Sequence, residues 1–448
     1  MAFSQIGWSV INRRVCLKVG ALSILGKPDL ASGSTIRPES PRQCPTSSNS
    51  CIFILLQGGP SQLDLWDPKP QASAEVRGPF QTVGTRCAGV RLGELMKETS
   101  SITGELAILR GVHHNFNNHI AGTYITLTGS DNQPNMDREA DADDFPGPGA
   151  ILNLFETRTP RVPRSISLPN WLSIPGPSNR MPGQYSGFLG SVHDPFLIKG
   201  DPNSANYNPL SLDLAGGMTA ERFHRRLSLR EQLDSSARLI EKNMRDRQDG
   251  LLQSAYDLVT DGRIRKALQL TTEKNATREA YGRNRFGQSL LMARRLVEAG
   301  VQFVSYNAFN QQWDTHGNLQ NRYLQLVPTM DRGFAALVAD LKERGMQEKT
   351  LVINTGEFGR TPVINKTAGR DHWPNAYSLA IAGGQVRGGI VHGRTDNKGA
   401  EVIENGVTPA DVLATMWRHL GVDPQTEIRD RLKRPFPVST GRVLHEIF

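Results

Sequence analysis

The sequence has few cysteines, no long hydrophobic run and no basic tract. Its four cysteines among 448 residues show no C-x-x-C spacing, which argues against a disulfide framework and a thiolate zinc site. No apolar run reaches the ~18 residues that cross a bilayer, so we expect no stable membrane span. Lysine and arginine total 52 and the formal net charge is +8, but these residues are dispersed. This distribution argues against nucleic-acid binding and leaves an anionic substrate open.

The residues that are abundant favour one large α/β domain with long, ordered loops. Apolar residues make up 38% of the chain, enough for a sizeable core, and the chain contains 43 glycines and 27 prolines. We predict a single folded domain over residues 51–448, with loop and helical insertions at about 130–280. Residues 219–258 within them are highly charged and are predicted to be helical.

The N-terminal segment resembles a twin-arginine export signal. Residues 12–18, NRRVCLK, place paired arginines before the weakly apolar VGALSIL. Residues 1–30 are predicted to be the signal and residues 31–50, rich in Ser, Pro and Gly, a linker. This interpretation predicts a periplasmic or otherwise exported protein. The alternative is a basic tail that carries no export signal.

Alternating strand and helix patterns predict a three-layer, doubly wound, mostly parallel sheet. The continuous apolar run at 51–56, bounded by turn residues, is typical of a strand buried on both faces, and further strands are predicted at 106–109, 301–306, 350–354 and 377–382. Helical spacing of apolar residues appears over 286–297, 330–341 and 412–420. Thr408, Pro409 and Asp411 form the expected start of the last helix.

Polar motifs follow several of these strands, so they should meet at one edge of the sheet. Asp314 and His316 follow one strand, Glu357 follows the next, and Asp371 and His372 lie in the loop after that. A histidine-rich loop at 113–119 follows the second strand. Carboxylate and imidazole together suit a divalent ion, with zinc favoured and calcium, magnesium or manganese open. The sequence does not decide between one ion and two.

Each candidate residue has a chemical role and a plainer alternative. The predicted metal ligands are Asp314, His316, Asp371, His372, His114 and Asp64. The predicted catalytic residues are His119 and Glu357, as general acid or base, with Thr123 as the nearest hydroxyl. Arg360 and Arg370 are predicted to bind an anionic substrate, since guanidinium groups offer paired donors to phosphate or sulfate. The alternatives are turn capping for the acids and histidines and ion pairing within loops for the arginines.

Several long motifs resemble the bacterial domain-of-unknown-function 1501 family over residues 51 to about 424. They are GGPSQLDLWDPKP (58–70), HIAGTYITLTG (119–129), PGQYSGFLG (182–190), WDTHGN (313–318), GEFGRTP (356–362), GRDHWPNAYSLAIAGG (369–384) and TPADVLATMWRHLGVDP (408–424). That family resembles the alkaline phosphatase and sulfatase superfamily, which implies an alkaline phosphatase-like fold and metal-dependent ester hydrolysis. Export by a twin-arginine signal is common in the family and agrees with the N-terminal motif.

The resemblance also implies roles for individual residues and exposes departures from the superfamily. Leu-Thr-Gly at 127–129 resembles the end of a sulfatase nucleophile loop, which puts the nucleophile position at or near His119. Glu357 corresponds to the aspartate of a Ser-Asp-His-Gly motif whose histidine is missing here, and Gln57 stands where a first-strand aspartate is expected. Because no Ser, Thr or Cys occupies the nucleophile position, a phospho- or sulfo-enzyme intermediate is not expected.

The sequence therefore predicts an exported, metal-dependent hydrolase of phosphate or sulfate esters. A sulfated polysaccharide or a small anionic ester is the expected substrate. Two alternatives stay open at this point: a non-catalytic, metal-stabilised protein that binds glycan or a cell-surface partner, and hydrolysis of another ester or an amide by the same ion.

Overall fold

A computed structural model describes residues 48–155, 162–174, 180–207, 261–308 and 311–448. The predicted export signal, residues 31–47 of the predicted linker and the predicted charged helix at 219–258 lie outside these ranges. No helix in the described ranges combines the length and the apolar character that a membrane crossing requires.

The described part of the chain contains sixteen strands. They are β1 Ser50–Leu55, β2 Thr82–Gly84, β3 Arg91–Gly93, β4 Leu106–Val112, β5 Ser165–Leu168, β6 Phe196–Leu197, β7 Phe303–Asn307, β8 Thr350–Thr355, β9 Gly359–Arg360, β10 His372–Trp373, β11 Tyr377–Gly383, β12 Ile390–His392, β13 Arg394–Thr395, β14 Val402–Glu404, β15 Glu427–Arg429 and β16 Pro435–Pro437. Eight of them form one sheet in the order β12-β4-β11-β8-β1-β7-β5-β6. The rest pair as two-stranded ribbons.

The large sheet is parallel except at β11. Strand β1 pairs in parallel with β7 and β8, placing Ile52 beside Val304 and Val352. Strand β11 runs antiparallel to both of its neighbours, β4 and β8. Its first residues therefore lie at the edge where the other strands end. The predicted mostly parallel sheet is confirmed.

Helices cover both faces of this sheet. The helices of the described residues are α1 Ala74–Arg77, α2 Lys97–Ser101, α3 His119–Thr128, α4 Pro148–Leu154, α5 Gly262–Leu268, α6 Asn275–Tyr281, α7 Arg285–Glu298, α8 Leu319–Glu343 and α9 Pro409–His419. On one face, Ile52 and Ile54 pack in one cluster with α7 and α8; on the other, Cys51, Phe53 and Leu55 pack with α3, α4 and α9. Burial of each such side chain contributes about 1.5–3 kcal/mol. The three-layer prediction is confirmed.

Local sequence signals set some of the helix boundaries. Thr408 and Asp411 form a capping box at the start of α9, as the sequence predicts. Helix α8 begins at Leu319, eleven residues before the predicted apolar stripe, and contains Pro328. The predicted loop region also holds two strands of the large sheet, β5 and β6. These strands have only four and two residues, too short to show an alternating pattern.

Candidate metal centre

The sheet brings four chain segments to one edge. His119 is the first residue of α3, which follows β4, and Asp314 and His316 follow β7. Glu357 follows β8. His372 lies in β10, which pairs with β9 just before the reversed strand β11. The reversal of β11 is what allows a residue preceding a strand to join residues that follow strands.

Three of these residues offer ligand atoms to a common point. Atoms of His119, Asp314 and His372 all lie within 4.8 Å of one another. The Asp314 carboxylate is 3.3 Å from His119 Nε2 and 3.4 Å from His372 Nε2. His316 adjoins this group, with Nε2 3.2 Å from Asp314 Oδ1 and 3.0 Å from His372 Nε2. We call these four residues the metal centre because they are candidate ligands of an ion, and we call His119, Asp314 and His372 the ligand cluster.

Each histidine of the metal centre has its other ring nitrogen bound to an acceptor. Nδ1 of His119 lies 2.7 Å from a Glu357 oxygen, and Nδ1 of His316 lies 2.7 Å from Asp371. Nδ1 of His372 lies 2.6 Å from the Asn117 carbonyl oxygen, which can only accept a hydrogen bond. Neutral His372, whose Nδ1 donates to that carbonyl, therefore presents a lone pair at Nε2. This outer-shell arrangement is typical of metal-ligating histidines.

The Nε2 atoms fit a cation. Nε2 of His316 lies 3.0 Å from Nε2 of His372, close enough for both atoms to ligate one ion. In the described ranges, the buried Nε2 of His119 has no partner with hydrogen-bond geometry, although the Asp314 carboxylate lies 3.3 Å away. Nitrogen-rich donor sets with one carboxylate suit zinc. The residues present thus fit a divalent ion.

Charges around the centre also favour a cation. Burial lowers the pKa of His119, but its contacts with the Asp314 and Glu357 carboxylates outweigh burial and raise that pKa to about 9. Burial raises the pKa of Asp314, yet contacts with His119 and His372 and the charge of Arg360 hold it well below its usual range. A metal ion would take the place of the proton on His119, as metal binding generally releases protons from its ligands.

Glu357 supports the centre from inside the protein. Its fully buried carboxylate accepts hydrogen bonds from the backbone amides of Gly58 and Gly59 at 2.8–3.0 Å, besides its contact with His119. Both glycines have positive φ, and a Cβ on Gly58 would lie 2.4 Å from the Asp314 nitrogen. The Gly58–Gly59 turn therefore holds the carboxylate that positions His119. Glu357 orients His119 and does not itself face solvent.

The two predicted substrate-binding arginines lie in the interior. Arg360 is fully buried, and its guanidinium donates to Asp314 at 2.6 Å, to the carbonyls of Gly58 and Gly59 and to the carbonyl of Arg370. Hydrogen bonds to these three loop carbonyls hold the guanidinium beside Asp314. With its donors engaged inside the protein, Arg360 holds Asp314 and is not presented to a substrate.

Arg370 and the predicted ligand Asp64 form a pair away from the metal centre. Arg370 Nε lies 2.9 Å from Asp64 Oδ2, and neither side chain is exposed. Arg370 also donates to the carbonyls of Val76, Thr361 and Pro362. Asp64 is therefore held by Arg370, and Arg370 fixes the loop that carries the centre. Asp371 is the partner of His316 rather than a member of the ligand cluster.

His114 and Thr123 also lie outside the ligand cluster. His114 is buried, its Nε2 lies 2.6 Å from the Glu357 carbonyl, and its Nδ1 accepts from the Phe116 amide. Both ring nitrogens are engaged, so His114 has no free lone pair for an ion. Thr123 is fully buried within α3, and its hydroxyl lacks a hydrogen-bond partner in the described ranges. The Thr123 hydroxyl therefore does not face solvent.

His114 should make stability depend on pH. Burial lowers its pKa from 6.5 to about 4, so the folded state holds the neutral ring. The contribution of the neutral, buried ring to the free energy of unfolding is complete above the unfolded pKa of 6.5 and is lost as pH falls through 4. Between pH 7 and 4.5 the wild type should therefore lose about 2 kcal/mol more than His114→Asn. Urea unfolding of both proteins at the two pH values measures this difference; equal losses would contradict it.

Comparison with known proteins identifies a family. The model described as "Protein of unknown function (DUF1501)" matches residues 48–448. No curated protein matches the sequence significantly.

Similar solved structures include Ps i-CgsB in complex with k-i-k-neocarrahexaose, with 13% identity and a TM-score of 0.41, covering 84% of this chain and 72% of that one. A sulfatase from Pseudoalteromonas sp. shows 12% identity and a TM-score of 0.40, with 84% and 68% covered. A phosphonate monoester hydrolase from Silicibacter pomeroyi shows 11% identity and a TM-score of 0.36, with 89% and 76% covered. The family match spans all of the chain after its first 47 residues, and the chain belongs to the DUF1501 family.

Proposed function

We propose that this protein is a metal-dependent hydrolase of anionic esters, with phosphate or sulfate as the ester group. The observation that carries the proposal is the set of three imidazoles around Asp314. Each has Nδ1 beside an oxygen acceptor, and each turns Nε2 toward the same carboxylate. Such pre-oriented ligands are expected of a working metal site.

Zinc suits the donor set better than calcium or magnesium does. The latter ions prefer six or more oxygen ligands, whereas this centre offers imidazole nitrogens and one carboxylate. A bound divalent ion would supply Lewis acidity and lower the pKa of water toward ~7. That chemistry requires no hydroxyl side chain, which agrees with a buried Thr123 and with histidine at the expected nucleophile position.

The protein's own residues define how a substrate approaches. His316 and Asp371 are the exposed side of the centre, with side chains 48% and 53% accessible, whereas His119 is largely buried. A substrate would therefore arrive over the His316–Asp371 pair. There, Asp371 holds His316 in the orientation that directs Nε2 to the centre. A small anionic ester and a polysaccharide ester both remain suitable substrates for an open rim of this kind.

The test combines metal analysis with an ester screen. Purified full-length protein should contain a stoichiometric divalent ion, and a chelator should remove both the ion and hydrolysis of aryl phosphate, phosphonate or sulfate esters. His372→Ala should lose both, while Asn132→Ala, a substitution on an exposed loop, should keep both. Protein that binds no divalent ion even after incubation with zinc would refute the proposal.

A non-catalytic role is the second candidate, and the buried arginines favour it. Neither Arg360 nor Arg370 has a guanidinium available to an anionic substrate. A protein that kept the ion only to tie its loops together would show full metal content, loss of stability on metal removal and no hydrolysis of any ester class. Sulfated glycan binding without turnover would identify that role.

Export forms a separate part of the proposal, resting on the paired arginines at 13 and 14. Replacing both with lysine should leave the protein in the cytoplasm, because twin-arginine signals are read by a receptor that requires the arginine pair. Cell fractionation of the wild type and the double variant measures this. Equal distribution of the two proteins would refute the export signal.

A further inference from the structure

We propose that Asn135 and Asp137 are positioning residues for the metal centre. They lie on the loop 133–138, where their own side chains are exposed, and they act through the first turn of α3. The inference rests on the proposed metal centre but concerns residues that make no contact with the ligand cluster.

The first step concerns the start of α3. Asn118 is the N-cap of this helix, and its Oδ1 accepts hydrogen bonds from the amides of Ile120 and Ala121. The same side chain donates through Nδ2 to Asp137 at 2.7 Å. Asp137 therefore fixes the amide orientation that caps the helix beginning at His119.

The second step concerns the carbonyl that orients His372. Asn117 supplies the carbonyl oxygen 2.6 Å from His372 Nδ1. Asn135 contacts both the amide of the peptide that carries this carbonyl and the side chain of Asn117. Its Oδ1 accepts from the Asn118 amide at 3.1 Å, and its Nδ2 donates to the Asn117 side chain at 2.7 Å. Asn135 thus lies two contacts away from a predicted metal ligand.

The rest of the loop adds support. Gln133 donates to the Ala121 carbonyl at 2.7 Å, and its own oxygen accepts from Arg138. Arg138 pairs with Asp144 at 2.7 Å. Loop 133–138 is therefore attached to the turn that carries His119 and to the carbonyl behind His372. Outer partners of ligands commonly change metal affinity about 10–100-fold, and residues one contact further out should lie at the lower end.

The test measures zinc affinity in the full-length protein by competition with a chelator. Asn135→Ala and Asp137→Ala should bind Zn²⁺ about tenfold more weakly than the wild type. The visible spectrum of the Co²⁺-loaded variants should shift, because the orientation of the His372 ring changes. A purely structural role for the loop would lower the melting temperature of the metal-free protein and leave the Co²⁺ spectrum unchanged.

Two further variants control this test. Asp137→Asn keeps an acceptor for Asn118 and removes the charge, so it should bind Zn²⁺ like the wild type. Asn132→Ala is the matched control: it immediately precedes the loop 133–138 and its side chain makes no hydrogen bond within the described residues. If Asn135→Ala does not fold, Asn135→Asp keeps the acceptor, loses the donor and should weaken zinc binding by a smaller factor.

The outcomes separate this inference from the proposed function. Wild-type affinity in both alanine variants would overturn it, as would an Asp137→Asn variant as weak as Asp137→Ala, since the effect would then be charge alone. A wild type that binds zinc but hydrolyses no ester would remove the proposed catalysis and leave the positioning role to be decided by these affinities. A wild type that binds no zinc would overturn both.

Discussion

Replacing His119 with alanine should remove the bound metal and any hydrolase activity together. Its Nε2 faces Asp314 and its Nδ1 is held by Glu357, so the ring is built into the centre on both sides. Loss of a ligand should weaken metal binding by more than about a hundredfold, because loss of an outer partner alone costs about 10–100-fold. Elemental analysis and ester turnover of the variant measure the two effects.

The matched control is His113→Ala, which removes a histidine from the same loop. His113 is half-buried and lies outside the ligand cluster, so metal content and activity should stay at wild-type levels. Full metal content without activity in His119→Ala would make His119 a general base or nucleophile instead of a ligand. Full metal content with full activity would contradict both roles.

The sheet could be predicted because buried strands are continuous in sequence. The run at 51–56 is apolar at every position and forms β1 at the middle of the sheet, and the run at 350–354 forms its neighbour β8. Strand direction was less accessible, since an apolar run is the same in either orientation. The chain reaches β11 through the β9–β10 ribbon. This ribbon is held by backbone pairing between residues such as Arg360 and His372, which lie a dozen positions apart in the sequence.

The candidate site could be predicted in outline because strand ends carry its motifs. Asp314, His316 and His372 meet where the strand order places them. The sequence could not show which hydrogen-bond or ion-pair partner each side chain contacts. Arg360 carries the same chemistry whether it faces solvent or Asp314, and only the fold shows that the Gly58 and Gly59 carbonyls draw it inward. The Asn117 carbonyl leaves no sequence signal at all, since every residue has one.

Arg370→Met should destabilise the protein by about 3–5 kcal/mol, because it leaves the buried Asp64 carboxylate without its charged partner and with only the Ser61 hydroxyl as a side-chain donor. Both side chains are fully inaccessible, and the two groups lie 2.9 Å apart. The carbonyls of Val76 and Thr361 would lose a donor as well. Urea unfolding of the metal-free protein measures the change without a contribution from bound ion. Arg283→Ala serves as the control: its pair with Glu279 is partly exposed, so its loss should cost about 0.3–0.5 kcal/mol.

The double variant Asp64→Asn with Arg370→Met distinguishes an unpaired charge from a packing defect. If the cost of Arg370→Met arises from the buried carboxylate, removing that charge should recover about 0.5–3 kcal/mol, a typical coupling energy for contacting residues. A double variant as unstable as the sum of its single changes would show that Arg370 acts through its carbonyl contacts instead. Either result bears on the metal centre, since Arg370 immediately precedes Asp371 and His372 and fixes the loop that presents them.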